Sequence, residues 1–478
     1  MTRISNRLWR LGAAFAVAAS LLASSPLPGQ AVPLSTLGKD GGKPGETRGV
    51  LPVPERFRGD GTTLPSPQEL PPSATATALQ SYDLDQLTEL MLQRNPRLAQ
   101  ATFAIDTAAG RAVQAGRYPN PVLSVLAEEL GDRQGRGGII TAPQVSQEIV
   151  TGGKLGLSRA AAEREIDQAA LNLVSLRFAR LGAVRQAYYE VLALEKRWDI
   201  LDRLLRLAEQ SIQTSEKLVK AGQATRLDIV QLEVERERFR AEKESTLREI
   251  PAAFRRLAAA VGVSDLPQLP LAGSLDVPPP LYDLEQAREF VSRAHPDVLS
   301  AQKGILRARL LVERAKAEPI PDVTVLAAFR RQNETKSNDF NVGFSLPVPV
   351  WNRNQGNIAA AQAQLGEAIQ QVGRVENELV ERLAQSFGTY ASARRRAELY
   401  RDSILPRARE SYRLSLKAYQ SGTFDYLRVL EAQRSYSQAD LEAVRSLGEA
   451  WRSAAEVSGL LLEERWPCPQ VQPVPAVK

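Results

Sequence analysis

Few side chains in this 478-residue sequence could do chemistry, and their spacing is as telling as their types. There is one histidine, one cysteine and two methionines. That set cannot build a relay of ligands for a transition metal. His295 precedes Pro296 and suits a helix cap better than catalysis or ligation. Cys468 sits in a Pro-rich tail and has no second thiol with which to form an internal disulfide. Thr151-Gly152-Gly153-Lys154 hints at a phosphate loop, but the first glycine of Gly-x(4)-Gly-Lys would fall at Glu148, and the lysine is followed by Leu155. No nucleophile, base or carboxylate pair rises above a charged helical background, so the chain reads as a non-enzyme with no cofactor.

Charge points the same way. Lys and Arg number 61 against 55 Asp and Glu, and the signs alternate along helical faces such as Glu233, Glu235, Arg236, Glu237 and Arg238. Mixed faces of this kind are solvated and ion-paired, which argues against a nucleic-acid partner. Aromatics are only 6% of residues while Ala, Leu, Arg, Glu and Gln crowd the middle, a coiled-coil composition that predicts a long, thin core.

The elements that carry these residues are unusually long. Between Gly152 and Gly262 two helices meet at one turn near Gly222. Leu171, Val174, Phe178, Leu181, Val184, Tyr188, Val191, Leu194, Trp198, Leu201, Leu205, Ala208 and Ile212 recur at steps of three and four, the seam of a coiled coil. After the turn the pattern resumes at Leu227, Val230, Val234, Phe239 and Leu247, so the second helix is expected to fold back along the first. A helix from Lys154 to Lys220 would run about 100 Å, some three times the thickness of a bilayer core.

Ahead of that hairpin, Arg3, Arg7 and Arg10 followed by the apolar run Leu11 to Ala23 predict a secretory signal over 1–31. A Pro/Gly-rich leader covers 32–82, expected to be disordered or extended. Helices then run from Asp83 past Asn95-Pro96 to Tyr118. Val122 to Leu130 and Ile139 to Val150 make a candidate β-hairpin. After a Pro-rich linker the unit repeats: His295-Pro296, Pro319, Pro321 and Gly422 each stand 200 positions after Asn95-Pro96, Pro119, Pro121 and Gly222. The boundaries read as repeat 1 over 83–265, linker 266–282, repeat 2 over 283–465 and a tail over 466–478.

In the second β-hairpin Val323, Val325, Ala327 and Phe329 alternate with polar residues before a polar loop from Gln332 to Asp339. Phe340, Val342, Phe344, Leu346 and Val348 alternate after it, giving one apolar face. An ordinary half-buried sheet alternates identically, but membrane-spanning length and the lack of other cover favour strands in lipid. Four strands cannot close a barrel, and open edges in lipid leave backbone groups unpaired at several kcal/mol each. Oligomerisation follows, and a trimer would give twelve strands above a hollow cylinder of twelve helices.

The sequence resembles the TolC-like outer-membrane efflux proteins, within them the CzcC-like branch of heavy-metal and cation efflux, over about Leu84 to Leu462. The resemblance rests on the duplicated Asn/His-Pro entry, on Ser146-Gln147-Glu148-Ile149-Val150-Thr151-Gly152-Gly153-Lys154, on the run from Leu346-Pro347-Val348-Pro349 through Trp351-Asn352-Arg353-Asn354-Gln355-Gly356 to Ile358, and on two Gly-x(4)-Leu turns. It implies a mainly α chain with β: a trimeric outer-membrane β-barrel, four strands per chain, continued into an α-helical coiled-coil periplasmic barrel. It implies a Gram-negative outer membrane and a homotrimer in contact with outer-membrane lipid. It also implies docking to a periplasmic adaptor (membrane fusion protein) and an inner-membrane RND-type pump, and passive conduction of metal cations or small toxic compounds. A gate is implied at the periplasmic tip, where Tyr419 would bond Asp228 and Glu431 would narrow the pore and attract cations. The turns Gly222 and Gly422 with Leu227 and Leu427 would meet the adaptor. Phe424 and Arg428 depart from the family's Arg and acid, so the gate network is altered. A poreless periplasmic adaptor or scaffold is the alternative, disfavoured because an adaptor presents one helical hairpin rather than two.

Overall fold

The computed structural model describes residues 81–128, 138–220, 225–333, 335–421 and 426–466. The expected signal peptide, the leader up to residue 80, Gly222, Gly422 and Cys468 lie outside the described residues.

Each repeat opens with two short capped helices. Asp83 accepts from the Leu84 N–H at 2.7 Å while Gln86 Oε1 accepts from the Asp83 N–H at 3.2 Å, a capping box for α1 (Leu84–Arg94). Asn95 ends α1 and caps α2 (Pro96–Ala115), accepting from the Arg97 N–H at 3.0 Å. Its side-chain amide donates to Ala260 and Val261 O, each at 3.1 Å, a seat that a Cβ on Gly262 would invade at 2.9 Å. Gly262, at φ +91°, is thus required twice over, by its backbone and by its neighbour. In the second repeat Asp283 caps α5 (Leu284–Ala294), and His295 caps α6 (Pro296–Ala317), its Nδ1 accepting from the Asp297 N–H at 3.2 Å. The capping role expected for His295 is the one it has.

The two β-hairpins merge. Strands β1 (Val122–Glu128), β2 (Ile139–Ile149), β3 (Val323–Gln332) and β4 (Ser337–Ser345) form one antiparallel sheet in that order. The central β2–β3 pairing joins the repeats, from Ile139 opposite Gln332 to Ile149 opposite Val323. Cross-strand partners share a face, so the register Leu123, Val145, Ala327, Val342 defines one side of the sheet. Val325, Phe329, Phe340 and Phe344 continue it, and Phe344 is 79% exposed. Ser124, Gln144, Asn341 and Gly343 fall on the other side. The fourth strand ends at Ser345, short of the Val348 expected from alternation, because Pro347 and Pro349 bring no N–H to a ladder. The polar loop shrinks in exchange, with Gln332 and Ser337 paired across a tight turn.

Sheet and helices meet at a joint made from both repeats. Lys154, 4% exposed, donates from Nζ to Asp322 Oδ2 at 2.9 Å, and Asp322 Oδ1 accepts the Thr151 N–H at 2.7 Å. Gly152 and Gly153, at φ +65° and +70°, bend the chain between those partners. Burial pulls the Asp322 carboxyl up, but the Thr151 N–H and Lys154 outweigh it and hold it below the usual range. The phosphate-loop look-alike is therefore a structural clasp.

The first long hairpin pairs α3 (Lys154–Lys220) with α4 (Arg226–Val261). The expected seam of α3 is buried at Leu181, Val184, Tyr188, Val191, Leu201, Ala208 and Ile212 and half-buried at Leu171, Phe178, Leu194, Trp198 and Leu205, but Val174 is exposed. That of α4 is corrected: only Phe239 of the expected set is buried, whereas Leu227, Val230, Val234 and Leu247 are exposed. The helix instead buries Ile229, Leu232, Phe239, Ala253, Leu257 and Val261, a heptad-spaced stripe nearly opposite Leu227, Val230 and Val234. The second hairpin sets α7 (Gln355–Leu399), a π-helical turn at Tyr400–Ile404 and α8 (Leu405–Gln420) against α9 (Tyr426–Leu460).

Linker and tail are also tighter than their composition suggests. Tyr82 exchanges backbone hydrogen bonds with Pro270 and Ala272 at 2.9 and 2.8 Å, and Leu271 and Leu275 are buried in the main core. Trp451, 1% exposed, stacks on Tyr189 at 4.4 Å and donates from Nε1 to Val277 O at 3.2 Å. Trp466 packs edge-on against Trp451. Buried Arg185 holds the segment leading to it, donating to Ser458 Oγ at 3.0 Å and Glu464 O at 2.9 Å.

Candidate functional site

The helix ends that flank both tip turns are built differently. At the start of α4, Thr225 N–H and Oγ1 each donate to Asp228 Oδ2 at 2.8 Å, while the Asp228 N–H points back at Thr225 Oγ1. Asp228 thus closes a capping box. Tyr419, near the end of α8, packs its ring on Tyr426 at 5.1 Å. Its hydroxyl is buried with no hydrogen-bond partner among the described residues, and the expected Tyr419–Asp228 hydrogen bond is not formed. The two residues do share an end of the molecule: burial first and the Asp228 charge second push the Tyr419 phenol upward. The capping box wins the carboxylate because Thr225 is a local partner.

Glu431 is exposed on α9. Leu227 and Leu427, 63% and 51% exposed, mark the first turns of α4 and α9. One apolar cluster lies beneath them, with Ile212, Ile229, Leu232, Tyr426, Val429 and Leu430 buried and Tyr412, Leu416 and Tyr419 against it.

Sequence reasoning missed a polar seam on α9. Gln433, Ser437 and Asp440 are buried at seam spacing, and Gln433 Oε1 and Ser437 Oγ have no hydrogen-bond partner among the described residues. Burial pushes the Asp440 carboxyl up, against Arg203 at 3.8 Å and the charges of Arg409 and Lys196. Unsatisfied buried polar atoms cost about 1–3 kcal/mol each, so this seam is held weakly. The signal was present: apolar spacing on this helix is interrupted by polar residues at steps of four and three. The π turn was missed too, although Pro406 stands where the first repeat has Arg206.

Among the described residues no group of three or more His, Cys, Asp or Glu could hold a metal ion, and no helix is long and apolar enough to cross a membrane. The polar and apolar faces of the sheet, its two free edges at β1 and β4 and the long hairpins below it suit a share of a wall rather than a pocket.

A family model described as outer membrane efflux protein matches residues 87–263 and 291–461, one segment in each half. The chain is 25% identical over 378 residues to the cobalt-zinc-cadmium resistance protein CzcC of Cupriavidus metallidurans, covering 79% of this chain and 89% of that one. It is 26% identical over 434 residues to the pyoverdine export outer membrane protein OpmQ of Pseudomonas putida, covering 82% and 88%. The solved structure of the outer membrane protein VceC from Vibrio cholerae matches with a TM-score of 0.65 at 20% identity, covering 79% of this chain and 95% of that one.

Proposed function

Because the chain belongs to the outer membrane efflux protein family and is an outer-membrane exit duct, we propose that it works as a homotrimer that conducts metal cations passively. The sheet carries this reading. It has an apolar face, a polar face and edges at β1 and β4 that a single chain leaves unpaired. Pairing β4 of one protomer with β1 of the next satisfies both, and three copies give twelve strands, enough to enclose water. The helical hairpins then form the periplasmic wall. Substrate arrives from a periplasmic adaptor and an inner-membrane pump of the RND type, which supplies the energy.

The tip holds the gate. Its moving part is the second hairpin, hinged at the π turn Tyr400–Ile404 and weakly held along Gln433, Ser437 and Asp440. Tyr419 and Asp228 lie where that hairpin meets the first, and a ring of Glu431 side chains favours cations. Leu227 and Leu427 offer an apolar contact to the adaptor. Cations are the favoured cargo because the metal-resistance protein CzcC is among the relatives, while OpmQ, named for pyoverdine export, keeps small organic compounds as the second reading.

Native mass spectrometry and single-channel recording of the purified full-length protein test this. A trimer with ion-conducting openings, whose cation preference falls in Glu431→Gln, is the expected result. A monomer without conductance would overturn the trimeric duct, and unchanged selectivity in Glu431→Gln would remove the acidic ring.

A further inference from the structure

Small residues open a cavity where helices of both repeats cross. Gly182 on α3 and Gly459 on α9 approach backbone to backbone, a Cβ on Gly182 meeting Gly459 Cα at 3.5 Å. With Ala179 and Ala183 they floor a cavity of about 200 Å³. Its polar walls come from four helices: Arg180 on α3, Arg382 on α7, Glu456 on α9, and His295 with Asp297 at the start of α6.

The two arginines match Glu456 and Asp297 in number, and Ser175 and Gln186 add neutral polar groups, but no ion pair joins the charges among the described residues. Many other arginines on these helices sit in ion pairs, as Arg159 does with Glu163 at 3.0 Å and Arg164 with Asp167 at 2.9 Å, while Arg185 bonds Ser458 Oγ and Glu464 O. Arg180 and Arg382 make no ion pair among the described residues, and Arg180 Nε is buried with no hydrogen-bond partner. Arg97 adds its charge nearby, and burial together with Arg97 holds the Arg180 guanidinium below its ordinary value. His295 is 4% exposed and uses Nδ1 as an acceptor from the Asp297 N–H, so the neutral ring carries its proton on Nε2, a further donor. A guanidinium presents a planar fork of N–H groups that matches the oxygens of a tetrahedral or planar oxyanion.

We propose that this cavity binds a small oxyanion between Arg180, Arg382 and His295, cross-linking helices of the two repeats. Glu456 and Asp297 line the same space and limit the ligand to one that reaches the guanidinium side. An inorganic phosphate or a carboxylate fits the volume. The anion's charge also favours protonated His295, which at present is disfavoured by burial and by Arg382 and favoured only by Asp297.

His295 is the one histidine of the chain, so its imidazole reports the site without assignment. The full-length protein, labelled with 13Cε1 histidine, is titrated with inorganic phosphate at constant ionic strength set by chloride. The expected result is a saturable shift of the single resonance and a His295 midpoint raised by about one pH unit. In Arg180→Gln/Arg382→Gln the response is lost. Should that double variant fail to assemble, Arg382→Gln alone, altered at an exposed side chain, weakens phosphate by about tenfold or more. A resonance that ignores phosphate, or one that responds equally in the arginine variants, overturns the site.

Discussion

The two helical hairpins descend from one repeated pattern yet are built differently. In the first, α3 runs 67 residues without a break and α4 starts on a complete capping box. In the second, the matching rod is interrupted by a five-residue π turn at Tyr400–Ile404, none of it buried, with Pro406 just beyond. A π turn is one residue more than an α-helix needs, a local break in the i to i−4 ladder at which helices kink. Past that turn α9 sets buried Gln433, Ser437 and Asp440 among apolar Val429, Leu430 and Val444, with Gln433 and Ser437 unsatisfied among the described residues, while α3 buries Leu201, Leu204, Ala208 and Ile212. Duplication preserved the spacing while the helical geometry diverged, leaving one continuous rod and one interrupted by a π turn.

Substitutions can break that contrast at several strengths. The largest effect is expected where the hairpins are rooted: Trp451 on α9 stands 200 positions after Pro251 of α4. Trp451→Ala removes a fully buried ring and should cost about 3–5 kcal/mol by denaturant unfolding. Pro251→Ala, at a position where helix continues without a proline, should leave stability unchanged or raise it. Next, deleting Ser403 restores α-helical spacing in the second hairpin and should reduce spontaneous channel openings by about tenfold, equivalent to about 1.4 kcal/mol. Equal opening rates would show that the π turn is not the hinge. Gln433→Leu removes an unsatisfied buried acceptor and should stabilise the closed hairpin by about 1–2 kcal/mol, read as a higher thermal midpoint.

The smallest effect concerns pH. Burial raises the Asp440 carboxyl in the folded state, so between its ordinary value and the raised one the folded chain binds more protons than the unfolded chain. Stability from this group therefore falls as pH rises through that window. Asp440→Asn should flatten that slope and be more stable than the parent at neutral pH. A steeper slope in the variant would mean that Arg203 dominates.

The first seam could be read directly because Leu181, Val184, Tyr188 and Val191 keep an unbroken spacing of three and four, although Tyr189 and Leu192 beside them are buried as well. The second could not, since α4 carries two apolar stripes and periodicity does not say which one its partner covers. At the tip, the residue types Tyr419 and Asp228 matched the family pattern, but the hydrogen bond did not form because Thr225 lies three residues from Asp228 and captures it first.

The sequence alone determined the duplicated unit, the length of the first rod, the capping role of His295 and the amphipathic strands, all of which depend on local spacing and on residues a few positions apart. Tertiary structure decided the rest: which stripe of α4 is core, that β2 and β3 join the repeats, that Lys154 meets Asp322, and that four helices leave a cavity lined by Arg180, Arg382 and His295. Those outcomes depend on partners more than a hundred residues away, where many pairings satisfy the same pattern and only simultaneous packing selects one.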